Sequence, residues 1–284
     1  MNPPYSIQKT IGGTGKLSGL GLHTGKPCSV TFKPGAPGSG IQFFRGGKLV
    51  TNLSAAPLQS QDGLRCSTLG DGKNRILTVE HLLACLNGLG LTNLEVEVEG
   101  PEIPGLDGSA LPFARLFGEL GLVEQRVSAD IYRIKEPVLC YDKLKSIAIY
   151  PAEEFSVSYV LDYEHPYLKD QKVDFFLSPE AFVKEIAPAR TFCTEKEARE
   201  LPKLGLGLGA DGDNTVVVRE DGAHRTNLRF QDECARHKVL DILGDLMLLG
   251  FPVLGRVVGL RSGHALNQKL VEAIRSQKEE AACC

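Results

Sequence analysis

Nowhere do about eighteen or more apolar residues follow one another, so the 284-residue chain offers no membrane-spanning helix. Its first ten residues, MNPPYSIQKT, have neither a charged leading region nor an apolar core, and do not read as a signal peptide. There is no C-x-x-C among the eight cysteines, which in a chain of this length read as reduced thiols in the cytoplasm. A long basic run and aromatic–basic interleaving are also missing, and the formal charge is −3, which argues against a nucleic-acid partner. The zincin signature H-E-x-x-H does not occur. What remains is 42% hydrophobic and 24% charged, ordinary for a soluble globular protein long enough for two modest domains.

The most informative stretch is RFQDECARHKVLDILGDLMLLG, residues 229–250. From about Glu233 to Leu249 it lacks proline, and it ends at Gly250 ahead of Pro252, which predicts a helix with a glycine stop. Apolar groups cover most of its circumference, so it should be buried. On it His237, Asp241 and Asp245 recur one turn apart, with Lys238 beside them. Buried ionisable groups must be paired, hydrogen-bonded or metal-bound. An imidazole and a carboxylate one turn apart can chelate a metal, and they can equally form a structural ion pair; a metal would need a third ligand.

A candidate for that ligand is ILTVEHLLACLNGLG (76–90), which predicts a second helix with Thr78 as N-cap and Glu80-His81 in its first turn. Other expectations follow in chain order. His23 sits in a glycine-bounded turn, where a hydrogen-bonded loop role is commoner than ligation. Residues 40–54 read as a hairpin, 91–100 as a strand, and Ser109 caps a helix closing at Gly121. The polar stretch 123–130 is taken as the boundary, giving domains 1–126 and 127–284. In the second, strands at 131–139, 146–150 and 155–162 precede a helix at 178–188 capped by Ser178, the loop ARTFC (189–193), and a last helix starting near His264. Gly207, Gly209 and Gly212 spell G-x-G-x-x-G, but the run leads into the β-rich TVVV, so it is not a dinucleotide fingerprint. Each half carries a histidine-bearing helix, a glycine, then a β-run. The fold class is therefore α+β: two similar layered sheet-plus-helices domains with the active site at their interface.

His81, His237 and Asp241 together would leave one coordination position open, as catalytic zinc sites do. Zinc there would lower the pKa of bound water to about 7; Fe(II) suits the same donors. Glu80 is placed to take a proton, His264 to give one, and Asp245 to orient His264. Thr191 and Lys238 could meet developing negative charge. This is the outline of metal-assisted amide or ester hydrolysis.

SGLGLHTG, TVEHLLACLNGLG, PEIPGLDGSA, ARTF, RHKVLDILGDL and SGHALN stand in this order over about residues 9–270. In that order and spacing the chain resembles the UDP-3-O-acyl-N-acetylglucosamine deacetylases of bacterial lipid A (lipopolysaccharide) synthesis. The resemblance implies a zinc hydrolase that removes acetate from the glucosamine nitrogen. It implies His81, His237 and Asp241 as ligands, Glu80 as base, His264 as acid partnered by Asp245, Thr191 at the acetyl carbonyl, and Lys238 and Phe192 at the substrate. Leu22, His23 and Cys66 would line the acyl passage or the mouth of the site. An insert in each domain, near 40–65 and 190–220, and a monomer are implied as well. A zinc amidohydrolase on another acetylated sugar is the alternative. Two departures from the family pattern are GADGDN before the strand at 215 and DECARH, which lacks the usual proline after the glutamate.

Overall fold

The computed structural model describes residues 6–54, 65–221 and 227–282. Alternating burial builds two five-stranded sheets. In the first, the strands lie side by side in the order Gly15–Leu20, Pro27–Pro34, Leu94–Glu99, Ile41–Arg45 and Lys48–Asn52. In the second the order is Val138–Asp142, Lys145–Tyr150, Arg256–Leu260, Ser156–Leu161 and Gln171–Phe176. By chain order both read first, second, fifth, third, fourth. In both, the third and fifth strands run parallel while the other neighbours are antiparallel. The weak repeat in the sequence is thus a full repeat of topology.

A helix precedes the fifth strand of each unit, Glu80–Leu89 in the first and Glu233–Met247 in the second. Another follows it, Leu111–Leu120 and His264–Ala282. Val30, Phe32, Phe43, Val96 and Val98 on one sheet, and Ile147, Ile149, Val157 and Val257 on the other, are buried in one core with these helices. Glu80–Leu89 and Glu233–Met247 pack against each other where the units meet. Gly244 makes the approach possible: a β-carbon there would lie 2.2 Å from the Glu80 carbonyl oxygen. Gly90 and Gly250, both at positive φ (71° and 76°), end the two helical segments.

Several expectations need correction. Thr78 is not an N-cap. It sits at φ 55°, and its hydroxyl donates to Glu102 (2.6 Å), so Val79 is the flanking residue of the helix. The hairpin near 40–54 belongs to the first sheet and not to an insert; residues 55–64 lie outside the described residues, and Thr68–Leu69 pairs with Ile76–Leu77 just beyond. The polar stretch at 123–130 lies largely in a strand, Leu122–Ser128, paired with Ile7–Ile11. Its alternate polar side chains hid it. The helix at 178–188 is capped by Ser178 as expected, but after Ala181 it widens, with Ala187 N–H reaching back five residues to the Phe182 carbonyl (2.8 Å). The insert expected near 190–220 is a small β–α–β unit: Phe192–Thr194 parallel to Val216–Val218, with Glu195–Glu200 between them.

Candidate active site

His81 and His237 come from the two seam helices, and their ring centroids lie 5.0 Å apart. With Asp241 they form a buried set of donor atoms all within 4.8 Å of one another. The His237 Nδ1–H donates to the Ala189 carbonyl (3.0 Å), so its Nε2 presents a lone pair to the site. That nitrogen faces the Asp241 Oδ1 at 3.4 Å, and Oδ1 is buried without a hydrogen-bond donor among the described residues. Two electron pairs aimed at each other in a buried place call for a cation between them. The residues therefore fit a divalent metal. Burial, reinforced by neighbouring His237, pushes His81 down to about 3, and burial lowers His237 too, so both imidazoles are neutral and available as ligands. Burial opposes ionisation of Asp241, but Lys238, His237 and His264 outweigh it and hold the carboxyl below its ordinary range.

Glu80 and His264 face the same space from opposite sides. His264 Nε2 lies 3.7 Å from Glu80 Oε1 and 3.8 Å from Asp241 Oδ2. Its other nitrogen is 2.9 Å from Asp245 Oδ2. Burial favours a neutral ring, yet Asp245 and Asp241 prevail and raise His264 to about 10. Burial raises Glu80 to about 8. These two groups thus have their proton affinities set by burial and by each other's neighbours, as in acid–base pairs generally. Asp245 is held in turn by Asn267 Nδ2 (2.8 Å) and by the Ser67 hydroxyl. Ser67 N–H also donates to Glu80 Oε2 (2.9 Å), so one residue orients both carboxylates.

A cavity of about 580 Å³ opens onto this cluster. Leu22, His23, Glu80, His81, Thr191, Phe192, His237, Lys238, Asp241 and His264 line it, so the sequence-derived residues from both halves converge there. Asp245 lies behind His264, outside the lining. Cys66 is buried (3% exposed) and is not among the lining residues either. Lys238 Nζ is 2.7 Å from Asp241 Oδ2 and stands 5.5 Å from the Phe192 ring centre. Thr191 is fixed by its backbone, N–H to the Gly108 carbonyl and C=O from Val216 N–H, both 2.8 Å.

Sequence reasoning missed the supports. Glu102 is fully buried and accepts from His23 N–H and Thr24 N–H (both 2.9 Å), the Thr24 hydroxyl (2.8 Å) and the Thr78 hydroxyl (2.6 Å), tying the His23 turn to the start of the Glu80 helix. Arg190, next to Thr191, pairs with fully buried Glu233 (2.9 Å) at the start of the His237 helix. A charge just before a helix gave no sign of burial in the sequence. The glycine-rich loop clasps the first unit through its backbone: Leu208 N–H to His23 O and Gly209 N–H to Leu22 O, both 3.1 Å. The departing GADGDN segment is self-braced, Asp211 Oδ1 accepting from Asp213 N–H (2.8 Å) and Asn214 N–H (2.9 Å). In DECARH, Cys234 is simply buried in the core.

A doubled α+β unit with a buried two-imidazole, one-carboxylate donor set at its seam has the build of a metal-dependent enzyme. Comparison with known proteins narrows this. A family model described as LpxC: UDP-3-O-acyl N-acetylglycosamine deacetylase matches residues 8–276. A UDP-3-O-acyl-N-acetylglucosamine deacetylase of Anaeromyxobacter sp. (strain Fw109-5) is 41% identical over 95% of this chain and 89% of its own. Proteins of the same name from Myxococcus xanthus (39%; 97% and 88% covered) and Haemophilus influenzae (38%; 96% and 91% covered) are comparably similar. The chain belongs to the UDP-3-O-acyl-N-acetylglucosamine deacetylase family.

Proposed function

We propose that this protein removes the acetyl group from the glucosamine nitrogen of UDP-3-O-acyl-N-acetylglucosamine, the committed step of bacterial lipid A synthesis. The observation that carries the reading is the orphaned Asp241 Oδ1 facing the His237 and His81 donors, with Glu80 and His264 across the same space. His81, His237 and Asp241 would hold one zinc ion, or Fe(II), and the ion when bound supplies Lewis acidity toward a carbonyl and acidifies water.

The chain's own residues do the rest. Glu80, braced by Ser67, takes the proton of the attacking water. The Thr191 hydroxyl donates to the acetyl oxygen as negative charge builds there, and Lys238 adds a positive charge nearby. His264, held cationic and aligned by Asp245, delivers a proton to the departing amine nitrogen. Leu22, His23 and Phe192 contact the acylated sugar within the cavity, with Cys66 buried close by. The two units, parted just after the strand Leu122–Ser128 and not within it at 126, act together as a monomer, in which one chain supplies every donor. No helix among the described residues is long and apolar enough to cross a membrane, and we place the reaction in the cytoplasm.

The test measures metal per chain and acetate release from UDP-3-O-acyl-N-acetylglucosamine, before and after chelation and zinc add-back. About one metal per chain, with activity lost and regained in step, is expected. Near-wild-type turnover in both Glu80→Ala and His264→Ala would sink the mechanism.

A further inference from the structure

The two units share a topology, yet their outward sheet faces differ in chemistry. On the first sheet charged and polar residues dominate the outward rows: Lys16, Thr31 and Glu97 stand side by side in a row that ends in Phe44 and Leu49, Lys33, Glu95 and Gln42 form the next, and Lys16 pairs with Glu99 (3.0 Å). On the second, register places Leu139, the buried Ala148, Val258, Ser158 and Asp174 in one outward row and Tyr141, Ser146, Leu260, Val160 and Lys172 in the next. The hairpin that starts this sheet ends in Tyr141-Asp142-Lys143-Leu144-Lys145. Tyr141 and Leu144 are 74% and 73% exposed, and Leu139 is 60% exposed. Isolated exposed apolar side chains need no explanation, but a clustered set does.

We propose that this face, led by the 141–145 turn, docks onto an anionic lipid surface. Charge complementarity selects that occupant. Lys143, Lys145, Lys172 and Arg256 surround the apolar rows, against Asp142 and Asp174, on a chain whose net charge is −3. A second copy of the same face would oppose these cations to one another. The tip also has the right form: a protruding leucine between two lysines lets the apolar group enter the headgroup boundary while the ammonium groups stay with the phosphates. Asp142 and Lys145 also line the candidate active-site cavity, so docking would set the mouth of the cavity beside the bilayer.

Sedimentation with vesicles tests this independently of turnover. The protein is expected in the pellet with phosphatidylglycerol–phosphatidylethanolamine vesicles, less as salt rises, and not with phosphatidylcholine alone. Leu144→Asp combined with Tyr141→Ser should cut the bound fraction roughly tenfold or more, and Lys143→Glu should weaken binding to anionic vesicles only. Melting temperature and activity in vesicle-free buffer should stay as in the wild type. Absence from the pellet, or equal binding to both vesicle types, would overturn the proposal. So would a concentration-dependent dimer in analytical ultracentrifugation that Tyr141→Ser abolishes, which would give the face to a second copy.

Discussion

Ser67 does not line the active-site cavity and carries no charge, yet it joins two carboxylates to which the proposed mechanism gives opposite tasks, its N–H on Glu80 and its hydroxyl on Asp245. Removing the hydroxyl leaves Asp245 with Asn267 and His264, so the carboxylate stays anchored but turns more freely. Ser67→Ala should therefore lower kcat by about tenfold with KM and metal content kept, and Ser67→Thr should restore most of the loss. Asp245→Asn removes the charge that keeps His264 cationic and should cost about 10²–10⁴ in kcat; steady-state kinetics separate the two variants. Arg190 and Glu233 tell a different story, of stability. Arg190→Met leaves the Glu233 carboxylate buried at the start of the His237 helix without its cation, held only by the backbone N–H groups of residues 190 and 229 (3.0 and 2.7 Å), and should cost about 3 kcal/mol in chemical denaturation. A loss below about 1 kcal/mol would show that the two backbone N–H groups suffice to hold the carboxylate.

At the scale of elements, the seam rests on glycine as much as on its apolar residues. Gly244 lies against the backbone of Glu80, so Gly244→Ala must push the Glu80 helix away or bend it. Either response moves Glu80 and His81 relative to His237, and tighter helix propensity cannot compensate. The variant is expected to stay folded but to bind zinc at least about tenfold more weakly, read by competition with a chromophoric chelator. Unchanged affinity would mean that the helices slide without disturbing the donors. This is also where reading the sequence stops. The four-residue spacing of His237, Asp241 and Asp245 is visible because helix geometry maps spacing onto a face. Gly244 is not visible, because only the partner helix gives it meaning. Thr78 misled for the same reason: its hydroxyl looks like a cap locally, but buried Glu102, 24 residues on, claims it.

The whole molecule is one α+β unit used twice, and the repeat explains why a site can form at all. Each unit presents the helix before its fifth strand to the other, so neither contains a complete donor set: His81 belongs to the first, His237 and Asp241 to the second. The repeat was faintly legible as histidine, glycine and β-run recurring in each half, whereas the shared strand order depends on pairings between strands 60–70 residues apart in the first unit and 106–114 apart in the second. A metal bound across the seam stabilises the native arrangement by mass action, since the separated or unfolded units lack the set. At free zinc one hundredfold above its dissociation constant this is about 2.7 kcal/mol, which for a chain of this size corresponds to roughly 5–10 °C in melting temperature. The core that joins the units does not depend on the ion, because its apolar residues remain buried around both helices. Chelation should therefore lower the melting temperature by that amount while the far-ultraviolet circular dichroism at 25 °C is retained. Loss of the folded spectrum on chelation would instead assign the metal a structural role, and the seam would then be held by the ion and not by the packing that brings the two helices together.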